Sequence, residues 1–390
     1  MTKYDFDEIV PRKNTNCIKY DFAKERGMPE GLLPMWVADM DFRTPPEVIE
    51  RLVEVARHGI FGYSEVKDDY YGSVVGWFGR RLGHAFPKNS VVKTPGVVYA
   101  LSLAIRAFTG PGDPVIVQTP VYYPFSGTVL QNGRRIVDNT LLYRNGRYYM
   151  DFADLEKKIV SEKAKLLLLC SPHNPVSRVW TPDELAELAG ICLRHGCLIV
   201  SDEIHCDFVF GDRRHHILAS IDKALDEICV TLTAPSKTFN LAGLQISNVF
   251  LPNPELKRLF KAEITRSGFS QLNAMGLAAC QAAYDHGEPW LAALLEYLEA
   301  NLALCESFFR DRLAPLRLIE TEGTYLIWID FKPLGLSHDE ANKLVIEKAK
   351  LWLDEGTMFG PSGANFQRMN VACPRSVLLE ALERLEKAIK

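Results

Sequence analysis

Residues 231–245 read T-L-T-A-P-S-K-T-F-N-L-A-G-L-Q, and the one lysine in this stretch, Lys237, lies among small and hydroxyl residues between two apolar runs. Residues 228–232 and 246–251 have the length and composition of buried strands. A lysine on a turn at a strand end between them points inward. Burying an ammonium costs several kcal/mol unless it is paired or loses its proton. An inward lysine is therefore a chemical tool: with its pKa drawn below the reference of about 10.4, it can add to an aldehyde and form an imine. A surface-loop lysine is the competing reading of this stretch taken alone.

Working outward, short apolar runs alternate with helical patterns from residue 91 onward, the pattern of β-α-β units feeding a mostly parallel sheet. Seven strands are expected at 91–93, 115–118, 135–137, 166–170, 198–201, 228–232 and 246–251. Ligands of such sheets bind outside the carboxyl ends of the strands. Here those ends read T-P-G-V-V, T-P-V-Y-Y, S-P-H-N-P, S-D-E-I-H and A-P-S-K, so five polar clusters converge. A helix is expected after Pro45 and Pro46 with a stop at Gly59, and another up to Leu82. Thr181 and Glu184 have capping-box spacing. Residues 253–312 read as long helices broken at Pro289 and Trp290. Beyond them strands are expected near 316–319, 325–330, residue 350 and 366–371, and a last helix from about 376. The Arg213, Arg214, His215, His216 cluster reads as a solvated turn.

The chain has 390 residues, too many for one ordinary core. A large domain over 46–285 and a smaller α+β domain made of 1–45 and 286–390 are expected. The strip L-P-M-W-V-A-D-M-D-F at 33–42 should lie against the main body. With 47% apolar and 24% charged residues the composition is globular, and no run is long and apolar enough to span a bilayer. The first ten residues have no charged start followed by an apolar run, so a cytoplasmic location is expected. The nine cysteines are scattered through apolar segments without a C-x-x-C pair. They read as core thiols, with no metal site expected. A net charge of −4 without a basic arm makes nucleic acid an unexpected partner.

The order of P-H-N-P (172–175), D-E-I-H (202–205), S-K-T-F-N (236–240) and R-M-N-V-A (368–372) resembles the fold type I pyridoxal-phosphate enzymes of the aminotransferase class I/II superfamily over nearly the whole chain. M-W-V-A-D-M-D-F (35–42), S-D-E-I-H-C-D (201–207), S-K-T-F-N-L-A-G-L-Q (236–245) and N-V-A-C-P-R (370–375) resemble more closely its MalY/PatB branch, the cystathionine β-lyases and C–S lyases. The resemblance implies pyridoxal 5′-phosphate as cofactor, with Lys237 as the imine-forming lysine that also moves the Cα proton. It implies Asp202 beside the pyridine nitrogen, where a buried carboxylate keeps that nitrogen protonated. Asn174 would face the ring's 3-oxygen, and His205 stands where many aminotransferases have a tyrosine. Tyr122 would stack on the ring. Gly96, Val97 and Val98 start a helix whose free N–H groups suit a phosphate, aided by Thr233 and Ser236. Arg368 would grip the substrate α-carboxylate. Tyr63 would reach the phosphate of a neighbouring subunit, which requires a homodimer.

Three positions depart from the aminotransferase pattern. Gln245 and Ala234 replace a phosphate-binding arginine and a serine or glycine, and Ser177 replaces a glycine. The function so implied is cleavage of the Cβ–S bond of an amino-acid substrate: cystathionine, cysteine or S-substituted cysteines. A class I/II aminotransferase is the alternative, and a pyridoxal-phosphate-binding sensor or partner-binding protein is a second.

Overall fold

The structure is a computed structural model describing residues 4–390; residues 1–3, part of the opening decapeptide read for an export signal, lie outside it. All seven expected strands form one sheet. Its order is Val91–Thr94, Ser247–Phe250, Cys229–Thr233, Leu198–Asp202, Leu166–Cys170, Pro114–Val117 and Arg135–Asp138. Ser247–Phe250 runs antiparallel to both its neighbours, and every other pairing is parallel. The central strands bury both faces, which is why Leu166–Cys170 is an unbroken apolar run without alternation. Helix Val97–Phe108 packs with helix Pro254–Arg266 over one face, where Val117, Leu168, Val200 and Leu232 belong to the same buried cluster. Ile116, Leu167, Leu169 and Ile199 join the larger cluster on the other face, with Leu185 and Leu188 of helix Pro182–His195.

The helix boundaries follow their local chemistry. Pro46–His58 starts on a proline and ends at Gly59, whose φ of 75° an L side chain would resist. Thr181 and Glu184 form both halves of the expected capping box. A hairpin absent from the sequence expectation joins Leu142–Arg144 to Arg147–Tyr149, turned by Asn145 and Gly146 at φ 51° and 81°.

The chain beyond helix Glu288–Arg312 adds a four-stranded antiparallel sheet, ordered Arg317–Leu318, Leu326–Asp330, Phe366–Asn370, Asp354–Glu355. Leu33–Pro34 pairs in parallel with Leu351–Trp352, so the N-terminal segment joins this C-terminal part. The strip that follows stitches the two sheets together through its carbonyls. Trp36 O accepts from Arg368, Val37 O and Asp39 O from Asn370, Ala38 O from Lys237, and Met40 O and Phe42 O from Asn240. Side-chain donors of strand Phe366–Asn370 and of the segment after strand Cys229–Thr233 thus satisfy an irregular backbone that has no ladder of its own.

Ser177, standing in place of a glycine, sits at positive φ, 57°. Its hydroxyl donates to Leu326 O at 2.6 Å, and its carbonyl accepts from Glu322 N and Gly323 N. These bonds oppose a backbone strain of about 1–3 kcal/mol. The basic cluster at 213–216 is not simply a solvated turn. His215 is buried and bonds Glu203 at 2.7 Å, and Glu203 also accepts from Ser201 and Leu218 N, because a buried carboxylate must find donors. Eight of the nine cysteines are buried free thiols. Among the described residues no helix is long and apolar enough to cross a membrane.

Candidate active site

Lys237 is carried by a single helical turn, Pro235–Thr238, directly after strand Cys229–Thr233. The turn is anchored from behind. Thr238 donates its hydroxyl to Asp207 Oδ2 at 2.8 Å, and Asp207 also accepts from Trp77 Nε1 and Arg81 Nε. Lys237 is half-buried, and its Nζ donates to Ala38 O at 2.7 Å. Burial pulls this amine down to about 8; Arg368 pushes the same way, while Asp39 and Asp202 oppose. At pH 7 about a tenth of such an amine is neutral, far more than for an ordinary lysine.

The amine faces a cavity of about 160 Å³ at the carboxyl ends of the strands, which brings together residues distant in the chain. Gly96, Val97, Val98, Tyr122, Asn174, Asp202, His205 and Ser236 line it with Lys237, as does Gln245. Thr233 does not line it. Its hydroxyl faces the neighbouring strand and donates to Asn248 O at 3.0 Å, since the pleat sends successive side chains to opposite faces. Arg368 lies behind Asn174, donating Nη1 to Asn174 Oδ1 at 2.9 Å. Tyr63 stands outside the cavity, 95% exposed, in the irregular stretch between helices Pro46–His58 and Asp68–Leu82.

The electrostatics of the cavity suit a ligand that carries both a cationic and an anionic group. Asp202 is buried, and burial pushes its carboxyl up to about 7; a bond from Ile204 N at 3.1 Å and the charge of Lys237 only partly oppose this. Among the described residues no side-chain cation pairs with it at salt-bridge distance, so it would suit a cationic group bound in the cavity. His205 is held neutral by burial and by the nearby charges of Lys237 and Arg368, and its Nδ1 is buried without a partner. Gly96 is the N-cap of helix Val97–Phe108, whose first-turn N–H groups have no intrahelical acceptor, a ready anion site. Burial raises the Tyr122 phenol well above its usual range, so that ring is a neutral apolar wall. A planar cationic heterocycle carrying a phosphate and an aldehyde matches this donor and acceptor set.

Several contributors escaped the sequence reading. The Ala38 carbonyl receives both Lys237 Nζ and the Tyr325 hydroxyl, the latter at 3.0 Å. Cys170 lines the cavity and its sulfur accepts from Asn174 N at 3.4 Å. No residue type marks a backbone carbonyl as functional. Cys170, by contrast, ends a strand four residues before Asn174 and could have been found from the strand-end rule.

Residues 32–385 match the aminotransferase class I and II family. Cystathionine beta-lyase PatB of Bacillus subtilis is 42% identical over 99% of this chain and 100% of its own length. Protein MalY of Escherichia coli is 34% identical over 99% of both. Among solved structures, cystalysin from Treponema denticola, which contains a pyridoxal 5′-phosphate cofactor, superposes with a TM-score of 0.95 at 38% identity, covering 99% of this chain and 98% of that one. A lysine, a buried carboxylate and a helix N-terminus meeting in one strand-end cavity thus occur on a chain alike from end to end to such proteins: it belongs to the aminotransferase class I and II family, in its MalY/PatB branch.

Proposed function

We propose that this protein is a pyridoxal-phosphate-dependent carbon–sulfur β-lyase. It takes an S-substituted cysteine such as cystathionine and one water to a thiol, pyruvate and ammonia. The observation that supports the cofactor half of this reading is the pairing, in one cavity, of a lysine amine lowered to about 8 with a buried carboxylate that has no cation of its own; the lyase half rests on the 42% identity to cystathionine beta-lyase PatB over the whole chain. When bound there, pyridoxal phosphate supplies an aldehyde for the substrate amine and a protonated ring that draws electrons from the substrate Cα.

The chain's own groups then divide the work. The N–H groups of the Gly96–Val98 turn and the Ser236 hydroxyl would bind the phosphate. Asp202 would hold the proton on the ring nitrogen, Asn174 and His205 would serve the ring's 3-oxygen, and Tyr122 would pack on the ring. Lys237 Nζ provides the cofactor's attachment and, once the substrate displaces it, takes the proton from Cα. Arg368 binds the α-carboxylate. With the Cα–H electrons available, the Cβ–S bond breaks and the sulfur leaves as a thiolate. Supplied with S-methyl-L-cysteine and no keto acid, the enzyme is expected to release methanethiol over many turnovers; glutamate formation from 2-oxoglutarate without thiol release would instead identify an aminotransferase.

The proposed arrangement is a large cofactor-binding domain over 46–285, with 1–45 and 286–390 forming the small domain. The pairing of Leu33–Pro34 with Leu351–Trp352 supports grouping the N-terminal segment with the C-terminal part. The proposed assembly is a homodimer in which Tyr63 reaches the partner's phosphate. Ile60, Phe61 and Tyr63 are 72%, 64% and 95% exposed within four residues, a cluster of large apolar surface that a lone chain leaves in water. Tyr63→Phe is expected to weaken cofactor retention about tenfold without lowering the melting temperature, and light scattering should give twice the chain mass. A fully active monomer would contradict the assembly.

A further inference from the structure

Arg368 is buried, and the residue opposite it is a carboxylate with no role assigned so far. Asp354 lies directly across from Arg368 in the antiparallel pairing of Asp354–Glu355 with Phe366–Asn370. Directly opposed residues send their side chains to the same face of the sheet, so the two meet. Asp354 Oδ2 accepts from Arg368 Nη2 in an ion pair whose members are 4% and 3% exposed. Nη2 also donates to Trp36 O at 3.0 Å and Nη1 to Asn174 Oδ1 at 2.9 Å, while Nε is buried without a partner. The Phe359 ring lies 4.9 Å from the guanidinium carbon. That ring is brought there by a tight turn in which Gly356 and Gly363 touch backbone to backbone, so that a Cβ on either would overlap the other's carbonyl.

This geometry has a charge consequence. A buried guanidinium without a counterion would be costly, and Asp354 meets that need before any substrate arrives. A substrate carboxylate therefore approaches a cation that is already matched, and it also meets the field of Asp354. Burial pushes the Asp354 carboxyl above its ordinary range, with Arg368 opposing.

We propose that Asp354 is a positioning residue for Arg368: it anchors the guanidinium and matches its charge, so that Arg368 orients the substrate carboxylate while holding it less tightly than an unmatched guanidinium would. The idea rests on the lyase reading's assignment of Arg368 to the carboxylate. It deepens that reading by naming the group that sets how firmly substrate and product are held.

The test is equilibrium binding to the holoenzyme, followed by the cofactor's absorbance, with 2-methylalanine as probe. This amino acid has neither a Cα proton nor a β-leaving group, so its binding requires no lyase chemistry. Its methyl ester, lacking the carboxylate charge, is the control. Asp354→Asn keeps an acceptor for Nη2 and removes the charge; it is expected to bind 2-methylalanine at least about threefold more tightly and to leave the ester unchanged. Asp354→Ala removes the anchor as well and is expected to bind 2-methylalanine about tenfold more weakly. A purely structural residue would shift both ligands together and both substitutions in one direction. The proposal is overturned if the Asn variant binds 2-methylalanine as wild type does or more weakly, or if the ester shifts equally. Should the Ala variant not fold, the Asn variant decides alone. A wild-type enzyme whose spectrum 2-methylalanine leaves unchanged overturns the reading of the site itself, and the proposal with it.

Discussion

Lys237→Ala is expected to lose at least about three decades of turnover, because it removes the residue proposed as both the cofactor's covalent attachment and the base for the Cα proton; general-base catalysis alone contributes about two to four decades. The fold should survive. The amine is already pulled below its ordinary value by burial, so its charged form is a cost to the folded chain without cofactor, and removing it does not destabilise that chain. Thr238, Asp207 and Trp77, which hold the turn in place, are untouched. The diagnostic measurement is borohydride reduction of the holoenzyme followed by peptide mapping. Wild type is expected to carry a pyridoxyl group on the peptide containing Lys237, and the variant none. A pyridoxyl group on any other lysine would show that Lys237 is the wrong residue.

Asp202→Asn is the second large effect. Asn fills the same space but cannot hold a proton on the ring nitrogen by charge, and losing one partner of a buried pair costs about 3–5 kcal/mol. Spent on the rate, this is about two to nearly four decades in kcat. The same substitution has an opposite effect on the cofactor-free protein. Asp202 has a folded pKa of about 7, above its ordinary 3.8, so the folded chain binds more protons than the unfolded one between those values. Stability from this group is therefore present below about pH 4 and is lost as pH rises toward 7. In thermal melts of the cofactor-free protein, wild type should lose stability relative to Asp202→Asn over that window. Equal pH profiles, together with a kcat within threefold of wild type, would remove Asp202 from its assigned role.

The strand framework was legible because each central strand buries both faces and so reads as a continuous apolar run. Leu166–Cys170 is found at the expected bounds, and the other six strands fall within two residues of theirs. The strand-end rule then collected Tyr122, Asn174, Asp202 and Lys237 without any knowledge of how the helices pack. Thr233, implied by the resemblance rather than by that rule, ends a strand with its hydroxyl donating to Asn248 O of the neighbouring strand. The Asn145–Gly146 turn was a local hairpin signal passed over among stronger helical patterns. Asp354 was not legible at all. Its place opposite Arg368 depends on the register of two strands separated by the Gly356–Gly363 turn, and a one-residue slip would send it to the other face. The carbonyls of Trp36 and Ala38 were illegible for another reason, since any residue can supply a carbonyl. His215 looked solvated in a run of basic residues, yet its partner Glu203 lies on a segment 12 positions away.

What separates a lyase from an aminotransferase on this scaffold is the fate of the electrons released when the Cα proton leaves. The roles proposed for Lys237, Asp202 and Arg368 serve either outcome, so the products decide. The most direct measurement supplies L-cystathionine to the holoenzyme without any keto acid and follows homocysteine and pyruvate together beyond several equivalents of enzyme. Equal amounts of the two, accumulating steadily, are predicted. Turnover that stops after one equivalent and resumes only when 2-oxoglutarate is added would contradict the account.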